Sequence, residues 1–218
     1  VKDKGMYKIY TDMELPLVPV LYGMEEAGFC VDKQGLIRLN GEFERILDEL
    51  KRDIYALAGG EFNVNSPQQL ADILFRKLGL KSGRKNRRGY STNVEVLSEL
   101  EDEHAIVPLI LRYREIAKLR STYALGMLPL VDENDKLHTV FRQAATSTGR
   151  LSSTEPNLQN IPVRKAEGAL IRKLFIASPG NVLVTADYSQ IELRLMAHFS
   201  GDGAMCAAFN AGTDIHTV

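Results

Sequence analysis

Asp187 stands at the end of the apolar run Val182-Leu183-Val184-Thr185-Ala186 and is followed at once by Tyr188-Ser189-Gln190-Ile191-Glu192. The run is rich in β-branched residues and follows the turn residues Ser178-Pro179-Gly180-Asn181, so it reads as a buried strand. Ser189 and Glu192 have the spacing of a capping box, and Ile191, Leu195, Met196 and Phe199 recur at helical intervals. A helix is therefore expected where the strand ends. A carboxylate placed there is costly to desolvate unless a cation compensates it, which points to metal ligation. The less specific reading is a cap or a salt-bridge partner.

A second stretch, Thr148 to Arg164, reads TGRLSSTEPNLQNIPVR and has few apolar residues for its length. Its amide, hydroxyl and guanidinium groups suit a polar ligand surface better than a core. A third, Lys81 to Arg88, holds Lys81, Arg84, Lys85, Arg87 and Arg88 without an acid, while Glu99, Glu101, Asp102 and Glu103 follow shortly after. The net charge is only −1, but this segregation is what a phosphate-facing loop and a solvated far side require.

These groups need elements to hold them. Residues 12–29 suit a helix with Pro16 and Pro19 near its start and Gly28 at its end. Asp32 is placed to cap a long helix with Ile37, Phe43, Ile46, Leu47, Leu50, Ile54 and Leu57 on one face, ended by Gly59-Gly60, although Gly35 and Gly41 weaken its opening turns. Glu42, Arg45, Asp48, Glu49, Lys51, Arg52 and Asp53 form its solvated face. Ser66 and Pro67 open a further helix whose first amides could receive a phosphate, and Ser91-Thr92-Asn93 open another. Residues 106–125 form a second long helix with Ile106, Leu109, Ile110, Tyr113, Ala117 and Leu119 apolar and Arg112, Arg114, Lys118 and Arg120 cationic. Arg114 and Lys118 share a face and repel slightly unless something anionic lies over them. A turn at residues 132–135 leads into a strand over residues 137–145.

The stretches around TGRLSSTEPNLQNIPVR and DYSQIELR together closely resemble the family A DNA polymerases, weakly through the thumb and strongly from Ala145 onward. The resemblance implies an α+β fold, with a helical thumb projection on part of an antiparallel palm sheet. It implies residues 1–31 as a palm-side scaffold helix, 32–128 as the thumb and 129–218 as the first part of the palm. The fingers, the rest of the palm and the His-Asp-Glu hairpin that carries the second carboxylate lie outside the sequence. The activity implied is transfer of deoxynucleoside monophosphate from a dNTP to a primer 3′-OH, aided in the complete site by two Mg2+ ions. Asp187 would be the catalytic metal-ligating carboxylate and the Tyr188 carbonyl a further ligand. Tyr188, Gln190, Glu192, Arg164 and His216 would face the dNTP, with Glu192 excluding ribonucleotides. Arg150, Asn157, Gln159 and Asn160 would meet the minor groove of primer-template DNA, where acceptors recur in every base pair. Arg114, Lys118, Lys81, Arg84, Lys85, Arg87 and Arg88 would meet the backbone.

The chain has 218 residues, 44% of them hydrophobic and 25% charged, which excludes disordered and fibrous classes. No apolar run is long enough for a membrane span, and Cys30 and Cys206 form neither a disulfide framework nor a zinc motif. The expectation is a bacterial, cytoplasmic, nucleoid-associated polymerase, monomeric, of which this sequence is a piece that binds primer-template without turnover. A non-catalytic duplex-binding module is the alternative, and an inert, self-associating fragment a third reading.

Overall fold

The computed structural model describes residues 2–81, 85–86, 89–163 and 165–212, with Lys85, Asn86 and Gly89 described by their backbone. It is a mixture of helices and short antiparallel strand pairs. The chain divides into two compact units, Val1–Gly180 and Asn181–Val218.

The first unit is organised by two helices, α3 (Lys33–Ala58) and α6 (Ile106–Leu119). Helix α3 starts as expected: the Asp32 carboxylate accepts from Gly35 N–H at 2.8 Å, satisfying one of the donors a helix start leaves unpaired. It ends where Gly59 turns left-handed at φ 65°. Its buried face is Leu36, Leu39, Phe43, Leu47, Ile54 and Ala58, so Ile37 and Leu57 point outward, one position away from the expected stripe. The charged face is solvated as expected, with Lys51 alone partly covered. Helix α6 contributes Ile106, Val107, Ile110, Tyr113, Ile116 and Leu119, and a π-helical turn, Arg120–Ala124, extends it. Arg120 reaches from the end of α6 to Asn40 and Glu44 near the start of α3, at 2.9 Å each, so the pair runs antiparallel. Each fully buried Leu or Ile in such a face is worth about 1.5–3 kcal/mol.

Between them lie α4 (Pro67–Ala71), capped by Ser66 as expected and continued by a π turn, and α5 (Val94–Glu99), capped by Asn93. Leu70, Leu74, Val96 and Leu97 from these elements complete the core.

The helical run before α3 begins earlier than expected, at α1 (Tyr7–Ile9), and passes through a π turn into α2 (Leu15–Ala27). Of its apolar residues only Leu21 is buried. Its end is held by residues 136–141, much later in the chain. His138 Nδ1 donates to Glu25 O and Lys136 Nζ to Ala27 O, both at 2.7 Å, and the Phe141 N–H donates to the Glu25 carboxylate. Cations on the last carbonyls complement the helix dipole. Gly28, at φ 60°, passes so close to the His138 ring that a Cβ would sit 2.6 Å from it.

Among the described residues, strands pair in three separate ladders, not in one sheet: β1 (Phe29–Cys30) with β4 (Lys136–Leu137), β2 (Lys85–Asn86) with β3 (Gly89–Tyr90), and β5 (Val140–Arg142) with β6 (Ser152–Thr154). The single strand expected over residues 137–145 is thus split into β4 and β5, each with its own partner. The expected turn is present, the Asp132 carboxylate accepting from Asn134 N–H and Lys136 N–H. Helix α7 (Ala166–Lys173) went unforeseen, because no side chain caps it.

In the second unit the expected buried strand is absent. Val182 and Val184 are 80% and 85% exposed, and no described strand pairs with them. A strand needs hydrogen-bonded neighbours, and an apolar run supplies none by itself. Helix α8 (Ile191–Ser200) does follow, but Ser189 does not cap it: the N-cap is Gln190, left-handed at φ 53°, without a side-chain cap bond. Arg194 donates to Ser189 O at 3.0 Å instead. A second helix, α9 (Gly203–Asn210), is capped by Asp202, whose carboxylate accepts from Met205 N–H at 2.8 Å.

Neither cysteine is a core residue: both are half-buried and free, Cys30 against the Ser178 hydroxyl and Cys206 against Ala197 O. No helix among the described residues is long and apolar enough to cross a membrane.

Candidate functional site

In the first unit, α5, α6, the loop 157–163 and Lys165 surround a groove of about 1270 Å³. Arg114, Lys118, Asn157 and Asn160, all singled out in the sequence, line it together, with Arg112, Glu115 and Lys165 beside them. The loop is pinned from below: the Tyr123 hydroxyl donates to Asn160 O, and Leu158 and Ile161 pack on the core. Burial raises the Tyr123 pKa, keeping that hydroxyl a donor.

The cations of α6 divide into two sorts. Arg112 donates to Glu167 and to Glu115, and Lys165 closes on Glu115 at 2.6 Å, so four charges tie α6 to the start of α7. The Glu167 partner raises the Arg112 pKa, and Arg112 in turn holds the Glu167 carboxyl below its usual range. Arg120 is taken up by Asn40 and Glu44. Arg114 donates to Thr92 O and, at 3.2 Å, to Thr92 Oγ1, and burial lowers its pKa. Lys118 is exposed and its ammonium meets no described side chain. Arg114 is thus held toward the loop before α5, while Lys118 stands in solvent.

The sequence signal for the Arg112 network was weak, since Glu167 lies far from α6 in the chain. Arg150 is exposed on the turn before β6, where its carbonyl accepts from Thr146 Oγ1. Gln159 is exposed and anchored through its oxygen to Ser153 N–H at 3.1 Å. Lys81 is exposed; Lys85 pairs by its backbone with Tyr90. Arg84, Arg87, Arg88, Arg164 and His216 lie outside the described residues.

In the second unit Asp187 and Tyr188 are exposed just before α8, and Glu192 stands exposed in its first turn. The Asp187 carboxylate and Tyr188 carbonyl are hard oxygen donors of the kind magnesium takes. Their number does not make a site: no group of three His, Cys, Asp or Glu that could hold a metal occurs among the described residues. They fit part of a metal site at most.

A model of DNA polymerase family A matches residues 33–218. The chain is 51% identical over 210 residues to DNA polymerase I of Caldicellulosiruptor bescii, covering 96% of this chain and 25% of that protein. It is 48% identical over 220 residues to DNA polymerase I of Streptococcus pneumoniae, covering 100% and 25%. Among solved structures, the POL domain of Pol1 from M. smegmatis, in complex with DNA primer-template and dNTP, matches with a TM-score of 0.88 and 38% identity, over 96% of this chain and 37% of that one. The chain thus spans about a quarter of the length of these curated relatives. With the match running unbroken from α3 through the DYSQIELR segment, the chain belongs to DNA polymerase family A.

Proposed function

We propose that this chain is the thumb (residues 32–128) and the first part of the palm (129–218) of a bacterial DNA polymerase, preceded by a scaffold helix (1–31). In the complete, cytoplasmic and monomeric enzyme it serves template-directed transfer of deoxynucleoside monophosphate from dNTP to a primer 3′-OH. The observation that carries the reading is the convergence of Lys118 with the Asn157 and Asn160 amides in one groove of a family A chain. An exposed ammonium and neutral amides suit a duplex: the first meets phosphate without reading sequence, and the second meet groove acceptors common to every base pair.

Asp187 and the Tyr188 carbonyl would hold part of the magnesium site. The metal supplies charge neutralisation for phosphoryl transfer when bound. Glu192, in the first turn of α8, would limit the space at the sugar, and Gln190, with Arg164 and His216, would belong to the dNTP side. Arg150, Gln159, Arg114 and the basic residues Lys81, Arg84, Lys85, Arg87 and Arg88 belong to the DNA side. With Asp187 the one carboxylate assigned to the metal in this reading, the chain alone would bind primer-template without turnover.

The test is primer extension on a primed DNA template with Mg2+ and all four dNTPs, beside a duplex-binding titration of the same sample. Binding that weakens with salt, without extension, is expected. Extension by this chain would overturn the account of the site. In a full-length polymerase carrying this segment, Asp187→Ala is expected to abolish turnover and keep primer-template binding.

A further inference from the structure

Two buried hydroxyls lie beneath the loop 156–160 and have no part in the groove lining or in the chemistry proposed for Asp187. Thr139 is 7% exposed, in the link between β4 and β5, and Ser153 is fully buried in β6. Their Oγ atoms are 2.5 Å apart. Thr139 Oγ1 lies 2.8 Å from Pro156 O, and Leu158 N–H donates to Ser153 Oγ at 3.0 Å. Each hydroxyl has one proton to give. The arrangement that satisfies all three contacts runs one way: Leu158 N–H to Ser153, Ser153 to Thr139, Thr139 to the Pro156 carbonyl. The other contacts, Thr139 to Thr154 O and Ser153 to Pro156 O, are longer, at 3.1 and 3.2 Å. Both ends of the relay therefore fall on the loop, one on each side of Asn157.

A second link acts on Gln159. Ser153 N–H donates to Gln159 Oε1 at 3.1 Å, and a backbone N–H can only donate, so the amide oxygen is turned inward. The NH2 of this exposed side chain bonds no described residue. Without the link the amide is free to turn over and offer a ligand either an acceptor or donors. With it, only donors are offered.

We infer that Thr139 and Ser153 are positioning residues for a nucleic-acid-facing loop: they clamp the backbone around Asn157 and make Gln159 a donor-only probe of duplex groove acceptors. The inference rests on the primer-template binding proposed above. Its ligand is the set of purine N3 and pyrimidine O2 acceptors that every base pair shows in the minor groove, so the loop senses groove shape and not sequence.

The test compares Thr139→Val, close in shape but without the hydroxyl, with Thr139→Ser, which keeps it. Amide exchange is followed on the free chain, and affinity by titration with primed duplexes rich in A·T or in G·C. In T139V the Leu158 amide is expected to exchange about tenfold faster and duplex Kd to rise about tenfold, equally on both duplexes, while T139S stays within about twofold of wild type. Gln159→Glu is expected to keep Ser153 amide protection and lose affinity; Gln159→Leu loses both. Equal weakening in T139V and T139S, or unchanged Leu158 exchange in T139V, overturns the relay. Should T139V fail to fold, the exposed Gln159 pair decides in its place, and overturns the inference if Q159E binds as tightly as wild type. Absence of duplex binding by the wild-type chain would refute the functional reading and the loop's ligand with it, while exchange in the free chain still decides whether the relay exists.

Discussion

Helix α3 holds two glycines that the same substitution should drive in opposite directions. Gly35 lies in the first turn, where a Cβ would sit 2.5 Å from Asp32 Oδ2 and 2.5 Å from Leu174 Cδ2. Asp32 is the cap of the helix and cannot yield without losing its bond to Gly35 N–H. Gly41, two turns on, has nothing within 4 Å of a built Cβ. At Gly41, alanine gains about 0.5–1 kcal/mol of helix propensity with no opposing cost. At Gly35 the same gain is set against about 1–3 kcal/mol of overpacking and about 0.5–2 for the disturbed cap, a net loss of about 2 kcal/mol. The two variants should therefore differ by about 3 kcal/mol, or about 1 M or more in urea midpoint at an ordinary slope.

Urea unfolding followed by far-UV circular dichroism measures this directly. Gly41→Ala should unfold at or above the wild-type midpoint and Gly35→Ala well below it. Because the Gly35 loss acts partly through the cap, the double variant Asp32→Ala with Gly35→Ala should lose less than the sum of the single changes. A Gly35→Ala midpoint equal to that of Gly41→Ala would refute the argument from steric contact. Strict additivity would refute the part assigned to the cap.

Three further outcomes are expected. Lys118→Ala should weaken duplex binding alike on all sequences and lower the slope of log K against log salt by about 0.9, measured by titration at several salt concentrations. His138, whose pKa is raised first by its bond to Glu25 O and then by Asp132, contributes stability that is complete below the ordinary imidazole pKa and lost as pH rises through the raised value. Asp132, lowered mainly by Lys136 N–H, contributes stability lost as pH falls through its own depressed value, so the thermal deficit of His138→Gln should be larger at about pH 5.5 than at about pH 8.5. An equal deficit at both would exclude the proton linkage. Glu167→Gln should cost about 1 kcal/mol near neutrality, discounted because Arg112 is partly exposed. That cost should vanish as pH falls through the depressed Glu167 pKa, and denaturant unfolding across the acid range would show it.

The sequence made the helical part of the fold readable where one residue states a local rule. Asp32, Ser66 and Asn93 are caps, Pro67 opens a helix and Gly28 and Gly59 close two, because these depend on hydrogen bonds within a few residues. It misled where the outcome depends on distant partners. Val182–Ala186 has strand composition, yet strand formation is settled by neighbours, and the described chain supplies none. Ser189 and Glu192 have capping-box spacing, but the turn places Gln190 at the cap. Among the candidate site residues, type and spacing identified Asn157, Asn160 and Lys118, which line one groove. The turning of Arg114 toward Thr92 was not readable, since that contact joins residues 22 apart through the fold of α5 against α6.

Helices α3 and α6 are neighbours in space but lie on either side of the excursion 59–105. Their pairing therefore cannot form as a local hairpin: it waits on closure of that loop, which places it among the later contacts made during folding. The entropy of closing a loop grows only with the logarithm of its length, about 0.6 kcal/mol for each doubling. Phe75, Leu78 and Leu80 still pack against the core, and the next described core residue is Val96, so the described part of the excursion is anchored up to Leu80 and again from Val96. Extra residues spliced between Leu80 and Val96 would add little to that entropy and leave the helix pair nearly as stable, so the chain can grow longer there without renegotiating its core.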